Sequence, residues 1–408
     1  MNKKVKNIFL ILLLLTFMLG FSQAYTSYNL DKLAFVTALG FDVSDNDPNK
    51  IRVTFQFAFS SASGGSESSG SEGANQTQTS ISSVEANSID EAINLMKAHI
   101  GKELKLSHCK MIIFSEELAQ NGIQDIVYTL VNNIQIRPTS NIVVSKCNTQ
   151  YYLEHSKPSL ETYVTSYYEN FPNSSKYNGY TADATIGNFF YALNTKTCEP
   201  YAILGGVESK DSNNTDLNTT KSGNTSIKSS RKSENLGLAV FCGDKLFGEL
   251  SVLDTLCFSL IKNDISNFMV SVPSPYTSDK LIDINLYADS ALSSSLSIVN
   301  DTPYIKINAK YTGAISSMSD NCDYLNKETL NKISTSVNKY LESSISSYLY
   351  RTSKDYKADI NCFGKKALSK FLTALDFKNY KWEEKYKDAF FDVHVETNIK
   401  SGYLLTQT

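Results

Sequence analysis

The segment Lys110–Asn133, KMIIFSEELAQNGIQDIVYTLVNN, decides the fold class of this 408-residue chain. Its first part, Lys110–Phe114, ends in four apolar residues and predicts a buried strand. The next part, from Glu116 to Asn133, has the apolar spacing of a helix with a break near Asn121-Gly122. A strand that leads directly into a helix is typical of a mixed α/β layer.

The flanking segments continue this alternation of strand and helix. Leu33–Phe41 is an apolar run, and Ile51–Phe59 alternates large apolar residues with polar or small ones. Together they predict a hairpin around an acidic loop. Ser88 is a predicted N-cap for a helix with apolar residues at positions 89, 92, 93, 96 and 100. Ile142–Ser145 predicts a further strand.

The C-terminal part predicts a second set of elements. Leu236–Phe241 and Lys245–Leu250 flank a Gly243-Asp244 turn and indicate a strand–turn–strand unit. A helix is expected over Val252–Ile261, and strands are expected near 268–272, 281–288 and 304–311. The chain closes with an alternating strand near 391–399.

The longest predicted helix covers Asn326–Tyr350. One face carries an apolar stripe, which we expect to pack on a sheet: Leu330, Ile333, Val337, Leu341, Ile345, Tyr348 and Leu349. The predicted fold class is therefore α+β and multi-domain, with mixed sheets packed with helices and a long amphipathic helix in the C-terminal domain.

Two stretches poor in apolar residues suggest where the chain divides. Ser60–Ser83 is dominated by Ser, Gly, Gln and Thr and predicts a mobile loop, and Ser209–Asn235 contains only two aliphatic residues. The chain is also too long for one compact core. We expect an N-terminal α/β domain over 25–207, a low-complexity linker or loop over 208–234, a middle subdomain over 235–280 and a C-terminal α+β domain over 281–408.

Residues 1–24 predict an export signal or an N-terminal membrane anchor. Three lysines precede an apolar core, Ile8–Leu19, which is shorter than the roughly 20 residues of a membrane span. Ser22 and Ala24 are small, so cleavage after Ala24 is one interpretation. The other is an uncleaved anchor that extends from Ile8 to Tyr28. Both interpretations place the rest of the chain outside the cytoplasm.

The charge balance disfavours nucleic acid as a partner. The formal net charge is −3, and without the lysines of the first 24 residues 36 basic and 42 acidic residues remain. No basic patch dominates the sequence. The acidic loop around Asp45 and Asp47 lacks the spacing and closing glutamate of an EF-hand, so we expect a solvated turn there.

The seven cysteines and four histidines predict no metal site. No two cysteines lie closer than 15 residues, which excludes a zinc ribbon and a Cys-x-x-Cys redox site. Export to an oxidising compartment could pair some of them. Cys109 and Cys257 lie in apolar runs typical of buried free thiols, and we expect most of the cysteines to be free.

One set of motifs resembles a catalytic site. Ser107-His-Cys-Lys110, Ser319-Asp320-Asn321 and Lys400-Ser401-Gly402 follow the order of the Ser-x-x-Lys, Ser-x-Asn and Lys-Ser/Thr-Gly elements of penicillin-interacting serine enzymes. Ser107 would be the nucleophile and Lys110 would accept its proton. The Ser-x-x-Lys element should open a helix, however, and here Lys110 leads into a predicted strand. The sequence therefore predicts no enzyme.

Other catalytic patterns are missing from the sequence. It has no Gly-x-Ser-x-Gly elbow, no phosphate-binding loop ending in Gly-Lys-Ser/Thr and no His-Glu-x-x-His. The pairs Glu116-Glu117 and Glu383-Glu384 are adjacent residues that point about 100° apart on a helix. They are more typical of solvated helix surfaces than of an acid–base dyad.

Several segments, in order along the chain, resemble a known family. Leu30–Asp42, LDKLAFVTALGFD, resembles the start of the mature C subunits of spore nutrient-germinant receptors, the Ger(x)C (GerAC-like) family. Leu106–Ala119 resembles the next block of that family. Leu236–Phe241 with Asp244–Leu246 resembles the strand–turn–strand that opens its C-terminal half.

The family's C-terminal signature also has a counterpart here. It consists of Tyr356–Asp359, Phe363-Gly364, Trp382 and the closing strand from Phe391 to Gly402. Each match is short, but together they cover almost the entire chain after the export signal. The resemblance implies an exported three-domain α+β protein on the outer face of the spore inner membrane. It would work there with two integral-membrane subunits of the A and B type, without catalysis or a cofactor.

The sequence departs from the family at its N-terminus. Family members usually carry a lipidated cysteine as the mature N-terminus, whereas Ala24 stands at that position and the first cysteine is Cys109. Lipidation near the N-terminus is therefore not expected, and attachment would depend on an uncleaved helix or on the partner subunits. Two hypotheses remain: a non-catalytic receptor subunit, or an exported or membrane-anchored binding protein of the same fold outside a receptor. The sequence names no germinant and no interface residue.

Overall fold

The computed structural model describes residues 30–47, 49–58, 79–156, 160–161, 163–209, 213–277, 279–318 and 326–400. The predicted export signal or anchor with Ala24, most of the serine-rich segment after Ala58, Ser319–Asn321 and the end of the chain after Lys400 lie outside these residues.

The first sheet has nine strands, which the chain forms in its first 250 residues. They are β1 (Leu33–Val43), β2 (Ile51–Ala58), β3 (Thr79–Ala86), β4 (Glu103–Lys105), β5 (Met111–Ser115), β6 (Asn141–Ser145), β7 (Tyr201–Val207), β8 (Ser233–Cys242) and β9 (Lys245–Leu250). Their order is β3-β2-β1-β5-β6-β7-β8-β9, with the short β4 also paired to β1.

This sheet is mixed. β1, β5, β6 and β7 run parallel to one another, while hairpins at both ends add antiparallel strands. The predicted hairpin is confirmed, because β1 and β2 pair from Phe35↔Ala58 to Val43↔Ile51. The predicted strand–turn–strand unit is also confirmed: β8 and β9 are joined at Gly243-Asp244 and pair with each other.

Helices of this part of the chain pack against the sheet. They are α1 (Ile89–Ile100), α2 (Glu116–Asn121), α3 (Gln124–Asn132), α4 (Thr149–Glu154), α5 (Val164–Asn170), α6 (Ser175–Asn178) and α7 (Ile186–Leu193). Ser88 caps α1 as predicted, since its side chain accepts a hydrogen bond from Glu91 N at 3.2 Å. The predicted break between α2 and α3 lies at Gly122, whose φ of 117° favours glycine.

The second sheet has five strands: β10 (Asn267–Pro273), β11 (Leu281–Ala288), β12 (Ser293–Val299), β13 (Thr302–Met318) and β14 (Phe390–Lys400). β13 is the central strand, and it pairs antiparallel with β11 and β12 and parallel with β14. The remaining helices are α8 (Val252–Lys262), α9 (Lys327–Tyr350), α10 (Phe363–Leu368), α11 (Ala374–Tyr380) and α12 (Trp382–Tyr386).

The long predicted helix is confirmed as α9, with Asn326 as its N-cap. Six of the seven residues of its apolar stripe are buried, and Leu330 is partly buried. Polar side chains of α9 also reach the free edge of β14. The backbone N–H of Val395 donates to Glu342 at 2.9 Å, and that of Ile399 donates to Ser334 Oγ at 3.3 Å.

β8 contributes to two hydrophobic cores at once. Ala239 and Phe241 pack in the core of the first sheet, while Leu238 and Val240 pack in the core of the second. All four are fully buried. The continuous apolar run of this strand is what burial on both faces requires. Gly237 lies within β8, just before this apolar run, and has a φ of 88°. A Cβ at this position would lie 2.5 Å from the carbonyl oxygen of Leu250.

The described parts of the two low-complexity stretches are more ordered than their composition predicts. The prediction of a mobile loop over Ser60–Ser83 is wrong for residues 79–83, which belong to β3 and pair with β2. Backbone pairing and a 2.8 Å contact between Thr54 Oγ1 and Ser83 Oγ hold this strand despite its few aliphatic residues. In the segment 213–232, Ser222 Oγ donates to the carbonyl of Leu204 at 2.7 Å and is buried. The predicted division into domains stays a prediction.

A disulfide links the two halves of the chain. Cys198 and Cys362 have a Cα–Cα distance of 4.4 Å and are 164 residues apart in sequence. Four other cysteines of the described residues are free, and Cys109 and Cys257 are buried as expected. Within the described residues, no helix combines the length and the apolar content needed to cross a bilayer.

Leu341→Ala in α9 should lower the free energy of unfolding by about 2–5 kcal/mol, because it leaves a cavity under a fully packed helix. Urea denaturation followed by circular dichroism measures this change. Ser343→Ala, on the exposed side of the same turn, is the matched control and should stay within about 0.5 kcal/mol of the parent. Equal urea denaturation midpoints for Leu341→Ala and Ser343→Ala would show that the apolar stripe of α9 does not pack in the core.

Cys198→Ser should lower stability by about 2–5 kcal/mol, because the disulfide restricts a long loop of the unfolded chain. Thermal unfolding without reductant measures this change. Cys242→Ser removes an exposed free thiol and is the control. Alkylation of both Cys198 and Cys362 in the untreated parent protein would contradict the pairing.

Candidate functional site

Of the motif that resembles a serine-enzyme site, the structure describes the first element, Ser107–Lys110, and Lys400 of the third. Ser107 lies in a short 3-10 turn, and its Oγ is 3.3 Å from His108 Nδ1. Lys110 Nζ instead forms an ion pair with Glu169 at 2.5 Å. Lys400 ends β14, and the residues that would complete the other two elements lie outside the described residues. Ser107 and Lys110 therefore have other partners and are not arranged as nucleophile and base.

The adjacent carboxylates also lie on helices, as predicted, and three of the four have local partners. Glu116 accepts a hydrogen bond from Gln120 at 3.2 Å. Glu383 pairs with Lys196 at 3.0 Å and Glu384 pairs with Lys381 at 3.1 Å. Among the described residues, no group of three or more His, Cys, Asp or Glu side chains could hold a metal ion.

Three residues of the C-terminal signature, Phe363, Gly364 and Trp382, meet around the buried carboxylate of Asp359. Its Oδ1 accepts a hydrogen bond from the backbone N–H of Phe363 at 3.0 Å. Its Oδ2 accepts from the N–H of Gly364 at 2.7 Å and from the indole N–H of Trp382 at 2.9 Å. Asp359 is 3% exposed. The carboxylate thus caps the start of α10 and fixes the position of α12.

Segments from the first half of the chain complete this joint. The carbonyl of Asp359 accepts a hydrogen bond from Glu199 N at 3.0 Å, next to the Cys198–Cys362 disulfide. A Cβ on Gly364 would lie 2.7 Å from the carbonyl oxygen of Thr197, so only glycine fits that contact. We call this cluster the interdomain joint because it connects segments of the predicted N-terminal and C-terminal domains; its residues are Thr197, Cys198, Glu199, Asp359, Cys362, Phe363, Gly364 and Trp382.

Tyr356 makes a second contact, between the C-terminal segment and strand β9 of the first sheet. Its hydroxyl donates to the carbonyl of Glu249 at 2.8 Å, and its ring covers Gly248 of β9. Arg351, in the π-helical turn that ends α9, forms an ion pair with Asp254 of α8. The signature residues are therefore used to hold the two sheets together.

Burial perturbs both carboxyl groups of the joint. It raises the pKa of Asp359 to about 6, although the three N–H donors act in the opposite direction. Burial also raises the pKa of Glu199 to about 7, and the nearby Glu383 and Asp359 charges add to the effect. The Glu199 carboxylate accepts a hydrogen bond from Gly243 N at 2.7 Å.

The sequence did not predict this joint as a site. The resemblance singled out Asp359, Gly364 and Trp382, but nothing in it assigned them a partner in the first half. No spacing rule pairs Cys198 with a cysteine 164 residues away. Glu199 carries no motif, and only its burial in the fold distinguishes it.

Glu199→Gln should change the pH dependence of stability. The raised pKa means that the folded chain binds a proton more tightly than the unfolded chain, so stability falls as pH rises from about 4.5 to about 7. Glutamine removes this titration and keeps an acceptor for the N–H of Gly243. Above pH 7 the variant should be more stable than the parent by on the order of 1–3 kcal/mol. Denaturation midpoints across this pH range test the expectation.

Glu117→Gln, at an exposed position of α2, is the control for this experiment. Its stability curve should run parallel to that of the parent. A parallel curve for Glu199→Gln as well would show that Glu199 is not perturbed in the folded state.

Comparisons with known proteins agree with this architecture. The family model described as "Spore germination protein N-terminal domain" matches residues 27–205, and that described as "Spore germination B3/ GerAC like, C-terminal" matches residues 236–402. Spore germination protein KC of Bacillus subtilis (strain 168) is 22% identical over 406 residues, which cover 97% of this chain and 96% of that protein. The putative spore germination protein YfkR of the same organism is 22% identical over 389 residues, with 93% and 92% covered.

The fold also has a counterpart among solved structures. The crystal structure of the GerBC protein is similar with a TM-score of 0.52 and 15% sequence identity, over 89% of this chain and 96% of that one. At this identity the likeness concerns the fold. The two family models together span most of the sequence, in the order that the resemblance predicts. The chain therefore belongs to the GerAC, or Ger(x)C, family of germinant-receptor C subunits.

Proposed function

We propose that this chain is a non-catalytic, exported subunit of a spore germinant receptor. It would act in nutrient-triggered germination through contacts with integral-membrane subunits of the A and B type. Its place would be the outer face of the spore inner membrane. Family membership supports the proposed role in spore germination. The interdomain joint supports action through protein contacts rather than through catalysis.

The observation that carries this proposal is the use of the signature residues in the joint. The carboxylate of Asp359 is saturated by three N–H donors, and the backbone of Gly364 is pressed against Thr197. A catalytic carboxylate needs access to a substrate, whereas this one is buried and holds two sheets in a fixed relation. Such a rigid body is suited to transmitting a contact at one surface to another.

Attachment to the membrane would not depend on a lipid near the N-terminus. Ala24 stands where family members carry the lipidated cysteine. A single acyl chain is in any case a weak anchor that needs a second contact. We propose that the segment Ile8–Tyr28 or the partner subunits hold the chain at the membrane.

Fractionation of spores with intact-mass measurement of the chain tests this proposal. We expect the protein in the membrane fraction, together with A- and B-type subunits after mild detergent extraction and affinity capture. A full-length mass would identify residues 8–28 as the anchor. A mass starting at Tyr25, with release from membranes when the partner genes are deleted, would identify the partners as the anchor.

The second hypothesis predicts a different result. A cleaved chain found free in the soluble fraction, with no captured membrane subunit, would contradict the receptor role. It would favour an exported binding protein of the same fold. Strains that lack the chain should then germinate normally with every nutrient that triggers the parent.

A further inference from the structure

A cavity of about 340 Å³ lies between the C-terminal end of α5 and the start of β8. Its size is in the range of small-molecule sites. Among its lining residues are two aromatic side chains, an aliphatic one, a guanidinium and two small polar groups: Tyr167, Phe171, Ile227, Arg231, Ser233 and Asn235. This cavity is separate from the interdomain joint.

Arg231 is the unusual residue of this cavity. Its guanidinium carbon lies 4.4 Å from the centroid of the Tyr167 ring. Its Nε is buried and has no hydrogen-bond acceptor among the described residues, and the side chain forms no ion pair with them. A buried N–H of a charged group without an acceptor is costly, so an acceptor supplied by a ligand would be favoured.

The Tyr167 ring, over which the Arg231 guanidinium lies, is held in place by hydrogen bonds. The hydroxyl of Tyr167 accepts from Asn235 Nδ2 at 3.1 Å, and Asn235 Oδ1 accepts from the hydroxyl of Tyr152 at 2.6 Å. Tyr167 is 6% exposed and Tyr152 is fully buried. The guanidinium therefore stacks on a ring that cannot turn away, which orients its N–H groups before any ligand binds.

The acidic residues near Arg231 do not neutralise it. Glu234 accepts a hydrogen bond from Gly223 N at 2.6 Å and another from Thr225, and Glu208 pairs with Lys228 at 2.8 Å. Glu161 also lines the cavity but forms no ion pair with Arg231. The exposed Lys232 also lines the cavity, and Arg231 forms an ion pair with none of the three carboxylates of the wall, those of Glu161, Glu208 and Glu234.

Part of the wall is apolar, with Phe171 and Ile227 beside polar residues such as Asn170 and Ser174. The Phe171 ring lies 5.6 Å from that of Tyr167, centroid to centroid. Ile227 is 55% exposed, which is high for an isoleucine beside a cavity. A ligand with a small apolar group would cover both side chains.

We propose that this cavity binds a small monocarboxylate with an apolar substituent. The carboxylate accepts hydrogen bonds from the guanidinium of Arg231, in the bidentate geometry that arginine favours. The apolar substituent packs against Phe171 and Ile227. This proposal does not require assembly with partner subunits, so it stands or falls separately from the proposed receptor role.

Isothermal titration calorimetry with the purified full-length chain in detergent tests the proposal. It compares two ligands that share a phenyl ring but differ in the charge of their polar group. Phenylacetate carries the carboxylate and phenethylamine carries an ammonium group in its place. We expect binding of phenylacetate, and we expect Arg231→Gln to weaken it about ten- to a hundredfold. Arg231→Lys keeps the charge without the planar fork and should give an intermediate affinity.

Lys176→Gln removes the same charge from an exposed residue of α6 that does not line the cavity, and it is the matched control. Its affinity for phenylacetate should equal that of the parent, and all variants should unfold at similar temperatures without ligand. Three results would overturn the proposal: no binding of phenylacetate, equal loss of affinity in Lys176→Gln and Arg231→Gln, or tighter binding of phenethylamine. The last result would assign the site to Glu161 instead.

Discussion

Burial of both faces of β8 is the constraint on which the rest of this structure depends. Alternate side chains of one strand fill two different cores, so neither core can form completely without the other. Gly237 makes this arrangement accessible, because its backbone lies too close to Leu250 for any side chain. The interdomain joint then ties the same two parts together at a second place, through Asp359 and the Cys198–Cys362 disulfide.

Several points of attachment make the two sheets one mechanical unit. A hinge needs a connection with few contacts across it, whereas here a shared strand, a disulfide and the Tyr356–Glu249 hydrogen bond all cross between the sheets. A receptor subunit built in this way would move as a whole. That property distinguishes it from proteins that close two lobes around a ligand.

Local patterns predicted part of the elements, whereas strands β7 and β12 and the helices α4–α7 and α10–α12 were not predicted. Helix α9 and the β1–β2 hairpin were predictable because their periodicity lies within the segment itself. Strand β3 was missed because its hydroxyl-rich sequence resembles a loop, and pairing with β2 decides its conformation. The Glu199–Asp359 contact and the cavity at Arg231 join residues far apart in sequence. Arg231 also lies in a stretch whose composition predicts no structure at all.

The contacts of α9 with β14 also limit how copies of this chain can meet. An open edge strand offers its N–H groups to any extended segment, which is a common start of aggregation. Glu342 and Ser334 already accept the outward N–H groups of Val395 and Ile399. A second chain would have to displace α9 before it could add a strand at that edge. Close approach of many copies of this chain therefore carries little risk of sheet growth from this side of the molecule.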